Sequence, residues 1–194
     1  STNFEIEYMA EAGMPYMLAG GTQQTKDIIS PNPDKFPSVW STNASYDAYE
    51  TELIPVVEAL AEAGSISFNY GKKVALVSSD NVYSKGIFEG LQRSFSAAGW
   101  TVTLTEMLPF GEINDWRAFF AKVRQDPPDL IVNTDYLPNN AATFITQFLE
   151  DPTNSLVFIQ YAPSVPEFLE LTGDKSTGVI YNLIFGFVNT TKHA

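Results

Sequence analysis

The sequence predicts a doubly wound α/β fold: a mostly parallel sheet with helices on both faces. Three observations carry this. Apolar runs rich in Val, Ile and Leu start near Val74, Val102, Leu130, Leu156 and Val179, a step of 23 to 28 residues that fits one strand-plus-helix unit. The runs are nearly continuous rather than alternating, as expected of strands buried on both faces. Between them lie segments whose apolar residues recur at helical spacing. The units share a pattern and not residues, so this is no sequence repeat.

The elements follow in order. A helix over Phe4 to Ala12 leads into a strand within MPYMLAGG, and TKDIISPNPDKFPS then reads as a Pro-rich, polar loop. SVWST is a second strand. A helix from Asp47 through Ala63 carries Leu53, Ile54, Val57 and Leu60, and Pro55 within it demands a kink or a later start. KKVALVSS opens the regular series. Its helix shows Ile87, Phe88, Leu91 and Phe95 on one face and stops at Gly99. TVTLTEML is the next strand; Asp115 then reads as the N-cap of a helix bearing Trp116, Phe119, Phe120 and Val123 and ended by Pro127 and Pro128. Asp126 and Asp129, beside those prolines, read as solvated turn residues. LIVNT, a helix over Phe144, Ile145, Phe148 and Leu149, LVFIQ, a helix over Val165, Phe168 and Leu169, and GVIYNLIF complete the series.

Composition removes several classes of chemistry. The 194 residues hold 11 Lys+Arg against 23 Asp+Glu, a formal net charge of -12. There is no Cys, and His193 is the one histidine. Thiol nucleophiles, iron–sulfur and zinc-finger sites need Cys. A catalytic triad would rest on a histidine one residue from the end of the sequence. An electrostatic nucleic-acid surface needs a basic balance, so no nucleic-acid partner is expected. No metal or cofactor is expected either.

In open parallel sheets, ligands lie beyond the carboxyl ends of the strands. Those positions are Gly20-Gly21-Thr22, Ser41 to Asp47, Ser78 to Tyr83, Pro109 to Glu112, Asp135-Tyr136 and Gln160-Tyr161. Three of these ends present a tyrosine: Tyr83, Tyr136 and Tyr161. An apolar ring with one polar tip suits the enclosure of a small organic ligand. The Gly20-Gly21-Thr22 turn offers backbone amides suited to a carboxylate, but it lacks the Lys-Ser/Thr of a P-loop. Ser78-Ser79-Asp80 reads as a cap of the next helix, and Glu112 with Asp115 as a helix-start pair.

Taken together, these segments resemble the type I periplasmic binding proteins, in the leucine/isoleucine/valine- and amide-binding branch of ABC-transporter receptors. STNFEIEYMAEAGMPYMLAGGT is similar to the family's Ser-Thr loop, helix and ligand-loop strand. SVWSTNASYD resembles its hinge strand, KKVALVSSDNVYSKGIFEGLQRSFSAAGWTV its Tyr-Gly segment, and LIVNTDYLPNNAATFITQ and LTGDKSTGVIYN later landmarks. The resemblance implies two lobes closing on a ligand without catalysis, in the periplasm or outside the cell. Residues 1–36 would be the last part of lobe 1, residues 37–186 lobe 2, and residues 187–194 a return segment or tail, the chain being a fragment of a longer protein.

The family's ligand positions map onto Ser1, Thr2 and Thr22 for a ligand carboxylate, with Gly21 a candidate from the turn itself, onto Tyr83 and Tyr136 as a cover, and onto Asp47 as a hinge acid. Ser41 replaces the hinge Arg, and the Tyr-Gly pair reads Tyr83-Ser84. Tyr161 falls where branched-chain amino-acid binders carry the acid that pairs with the ligand ammonium, with Asp135 as the substitute. The partners implied are a small-molecule ligand and an ABC permease. Apolar lobe 1 surface left exposed would pair two copies in a homodimer. A ligand-sensing domain of a signalling receptor is the alternative on the same fold, and an α/β enzyme is disfavoured for want of a nucleotide motif, a metal cluster or a usable histidine.

Overall fold

Five parallel strands in the order β4-β3-β5-β6-β7 form the main sheet, a doubly wound arrangement whose direction reverses after its first two strands. The computed structural model describes residues 3–18, 21, 23–42 and 47–182. The sheet strands are β3 (Lys73–Ser79), β4 (Thr101–Leu108), β5 (Leu130–Asn133), β6 (Leu156–Ile159) and β7 (Ile180–Tyr181). Because strand side chains alternate between faces, β3 divides its apolar run. Val74 and Leu76 join Leu130, Val132 and Phe158 on one face, under α4 (Leu53–Glu62) and α5 (Val82–Ala97). Ala75 and Val77 join Ile131, Val157 and Ile159 on the other. There they meet α6 (Arg117–Gln125), α7 (Pro138–Phe148) and α8 (Pro166–Thr172). Both faces are dry cores, which is why the strands read as continuous apolar runs.

A smaller unit precedes this. Here α1 (Glu5–Glu11), β1 (Tyr16–Leu18), α2 (Gln23–Ile29) and β2 (Val39–Ser41) pack around Ile6, Leu18 and Phe36. β1 and β2 pair in parallel, Met17 opposite Trp40. Strand pairing therefore groups residues 39–41 with the N-terminal segment, although the sequence reading places them in the second lobe.

Several local expectations are corrected. The polar stretch after β1 contains α2, whose Ile28 and Ile29 pack on the small core. The helix expected over residues 47–63 is two: α3 (Asp47–Thr51) and α4, which starts at Leu53. That later start puts Pro55 in the first turn, where its missing N–H is harmless. The N-cap position of α6 is Trp116 rather than Asp115, although Asp115 Oδ1 accepts from Arg117 N at 3.1 Å. The cap of α5 is Asn81, whose Oδ1 accepts from Ser84 N at 2.9 Å, and not the Ser78-Ser79-Asp80 run. Leu169 and Leu149 are exposed, beside the buried Phe168 and Phe148. Gly99, at φ 80°, ends α5 as its left-handed C′ residue.

Asp129 departs furthest from expectation. It is buried, and its carboxylate accepts from Tyr70 N at 2.8 Å and Lys73 N at 3.0 Å. It clamps the chain entering β3 instead of facing solvent.

Candidate functional site

All five strands run the same way, so their carboxyl ends share one edge. The winding reverses between β3 and β5, the place where the connections diverge and open α/β sheets take ligands. The loop after β3 is held by Asn81, whose Nδ2 donates to Ser79 Oγ and Ser84 Oγ at 3.0 and 2.9 Å. It is tied to β5 through Thr134 Oγ1, which lies 2.7 Å from Ser78 Oγ and 3.1 Å from the Ser84 carbonyl. This frame fixes Tyr83 at the start of α5.

Tyr83 meets Tyr136 edge-to-face, ring centres 5.4 Å apart at 90°. The pair extends in both directions. Tyr49 contacts Tyr83 at 6.4 Å, and Phe110 contacts Tyr136 at 6.1 Å. Tyr49 reaches this place because α3 approaches α5 closely at Gly90: a Cβ there would lie 2.0 Å from Glu50 Cδ. Four rings thus form a strip across the strand ends, with the three tyrosines half-buried and Phe110 half-exposed.

Asp135 lies beneath this strip with no exposed surface. Asn140 Nδ2 donates to Oδ2 at 2.6 Å and Leu137 N to Oδ1 at 3.1 Å. Burial pushes its carboxyl above the usual carboxylate range, while the hydrogen bonds from Asn140, Leu137, Ser79 and Tyr136 pull the other way. Asn140 also donates to the Gly111 carbonyl at 2.8 Å and accepts from Ile113 N at 2.9 Å, stapling the loop after β4 to that after β5. Both Asp135 oxygens are thereby engaged within the protein.

Tyr161 follows β6 in an unusual conformation. Its φ of 59° and ψ of -47° make a γ-turn, closed by Ala162 N donating to the Gln160 carbonyl at 2.6 Å. A tyrosine held there costs about 1–3 kcal/mol, and such strain concentrates at functional sites. Tyr161 N donates to Asn182 Oδ1 at 3.0 Å. Gln160, fully buried, places Nε2 3.3 Å from the Tyr83 hydroxyl, linking the β6 end to the aromatic strip.

The structure therefore brings Tyr83, Asp135 and Tyr136 together, and joins the Tyr161 loop to them through Gln160. Gly21 lies elsewhere, at the carboxyl ends of the small sheet, bordering a cavity of about 220 Å³ with Thr25, Lys26 and Ser41. Ser1, Thr2 and Thr22 lie outside the described residues, and of Asp47 only its place at the start of α3 is described. The open clefts of about 500 and 360 Å³ sit between α1 and α2 and over α6 and α7; the second is bordered by Glu112 and Asn140, and neither by the tyrosines expected at the site. Among the described residues, no three His, Cys, Asp or Glu side chains group as a metal site. Sequence reasoning missed Tyr49, Asn140 and the buried role of Gln160. Strand-end position alone had marked Gln160 and the loop holding Phe110.

Comparison with known proteins resolves the family. The sequence model for periplasmic binding proteins matches residues 6–159. The chain belongs to the periplasmic binding protein family. A search of curated proteins finds no match. Among solved structures, one described as a branched-chain amino acid ABC transporter from Silicibacter pomeroyi superposes with a TM-score of 0.87 at 29% identity. A branched-chain amino acid ABC transporter from Thermus thermophilus with bound valine gives 0.68 at 16%. A solute-binding protein of an ABC transporter from Rhodopseudomonas palustris BisB5, in complex with 3,4-dihydroxybenzoic acid, gives 0.65 at 19%. The latter two show the periplasmic binding protein fold alone. This chain is covered over 95%, 92% and 91% of its length in these comparisons, but spans only 46%, 43% and 45% of theirs. Among the described residues no helix is long and apolar enough to cross a membrane.

Proposed function

We propose that this periplasmic binding protein chain supplies the aromatic wall of a solute site for an ABC-type importer, binding a small organic molecule without transforming it, in the periplasm or outside the cell. The Tyr83–Tyr136 pair at the reversal of the sheet carries the reading, because it sets two half-buried rings where open α/β sheets take ligands. Tyr83 and Tyr136 cover the solute, with Tyr49 and Phe110 extending the wall. Ser1, Thr2, Gly21 and Thr22 would hold a carboxylate from the other lobe, and Asp47 would stand at the hinge. An ABC permease is the partner.

Relatives of this fold bind valine and 3,4-dihydroxybenzoic acid, so the solute is drawn from amino acids, amides and aromatic acids. With Tyr161 at the position of the ammonium-pairing acid and both Asp135 oxygens engaged, an α-amino acid is the least favoured of these. Thermal-shift measurements on the full chain with L-valine, benzamide, benzoate, 4-hydroxybenzoate and phenol test the reading. At least one shift is expected, and Tyr83→Ala or Tyr136→Ala should abolish it. No shift with any of the five contradicts solute binding at this wall.

A further inference from the structure

The loop from Pro109 to Asp115, between β4 and α6, is held by two buried amide side chains of α7. Asn140 accepts from Ile113 N at 2.9 Å and donates to the Gly111 carbonyl at 2.8 Å. Gln147, about two turns further along α7, accepts from Trp116 N at 2.6 Å and donates to the Asn114 carbonyl at 2.9 Å. Each amide thus commits donor and acceptor to main-chain groups that have no strand or helix ladder to satisfy them. Gly111 permits the turn: its φ of 142° is one that residues with a side chain rarely adopt. The loop is built to keep one shape, and the residue it holds out is Phe110, whose ring is 50% exposed.

Phe110 follows β4 at the edge of the sheet, yet its ring centre lies 6.1 Å from that of Tyr136, which follows β5 on the far side of β3. The loop reaches over the end of β3 to make this contact. Their planes differ by 31°, whereas Tyr136 meets Tyr83 at 90°. Asn140 sets both sides of the contact, because its other donated bond, at 2.6 Å, goes to Asp135 beside Tyr136. Phe110 packs on neither core of the main sheet. A lone exposed phenyl needs no explanation. One held in a pinned loop against a second ring, at the edge where open sheets take ligands, does. A flat ring in the solute gains from offset or edge-to-face contact with an aromatic side chain beyond the area it buries, and a saturated ring lacks that gain.

We infer that Phe110 is a specificity-determining residue of the solute site, selecting a planar aromatic ring over a saturated one of the same size, and that Asn140 is the residue that positions it. The inference rests on the solute-binding reading of the Tyr83–Tyr136 pair and narrows its solute to an aromatic compound.

Calorimetry on the full chain tests it with pairs of equal charge: benzoate against cyclohexanecarboxylate, and benzamide against cyclohexanecarboxamide. The parent should favour the aromatic member of the pair it binds by about fivefold or more. Phe110→Leu, which keeps apolar bulk at an exposed position but removes the flat face, should bring the ratio close to one. Asn140→Ala should do the same, or Asn140→Asp if the first does not fold. Gln147→Ala, which frees only the α6 end of the loop, should lower the melting temperature and keep the ratio. A ratio unchanged in Phe110→Leu overturns the inference, and a ratio kept in the Asn140 variant overturns the positioning role. Equal affinity of the parent for aromatic and saturated probes, or preference for L-valine over both aromatic ones, defeats the selectivity while solute binding stands. If neither these probes nor L-valine, 4-hydroxybenzoate or phenol binds the parent, the solute reading falls, and the inference with it.

Discussion

The two ends of the five-stranded sheet are built differently. At the amino end, buried Asp129 clamps Tyr70 N and Lys73 N, Lys73 pairs with Asp126, and the Ser155 hydroxyl donates to the Pro128 carbonyl. None of the unpartnered buried atoms among the described residues lies there. Both ends hold a buried carboxylate and a positive-φ residue, Asp129 and Lys72 at the amino end and Asp135 and Tyr161 at the carboxyl end, but among the described residues only the carboxyl end carries unpartnered amides, Asn133, Gln160 and Asn182. Satisfied polar groups are what stability favours; unsatisfied ones persist where something else holds them. One end secures the fold and the other is kept ready for a ligand.

Substitutions at the two ends should therefore have opposite signs. Asp129→Ala orphans two backbone donors and should cost about 3 kcal/mol in urea unfolding, with solute affinity unchanged in the folded protein. Tyr161→Gly, which removes the penalty on a side chain at φ 59°, should stabilise by about 1 kcal/mol while weakening solute binding. Matching signs for the two would erase the contrast.

A smaller effect concerns Asp135. Burial raises its pKa in the fold above the ordinary 3.8, so its charged form opposes folding at neutral pH. As pH falls through the raised value toward 3.8, the folded state takes up the proton first, and this opposition disappears. Urea midpoints of the parent should thus gain on those of Asp135→Asn between about pH 7 and pH 4. A gap constant over that range would mean that Asp135 titrates alike in the folded and unfolded chain, which contradicts a carboxyl raised by burial.

How much of this was legible in the sequence differs between the ends as well. KVALVSS and LIVN announce buried parallel strands, so the sheet and its carboxyl edge could be placed, and with them Tyr83, Tyr136 and Tyr161. The resemblance to periplasmic binding proteins agrees with the family match over residues 6–159. Asp129 was misread because flanking prolines signal a turn, while its burial depends on a loop some 56–59 residues away in sequence. Helix α2 was missed because QQTKD is polar and its apolar anchors are Ile28 and Ile29, with the buried Thr25 held by Asn3. The unpartnered amides were invisible for a similar reason: whether Asn133, Gln160 or Asn182 finds a partner is decided by neighbouring strands and not by local pattern. Tyr49 entered the site through Gly90, a close helix approach that no single-segment reading shows.

The most direct test is amide hydrogen exchange on the full chain with and without a saturating solute that gives a thermal shift. Residues 80–83, 134–136 and 160–162 should gain protection, while residues 70–73 and 128–130 stay unchanged. Protection confined to the amino end, or absent from all three carboxyl-end loops, would contradict the assignment of binding to this edge.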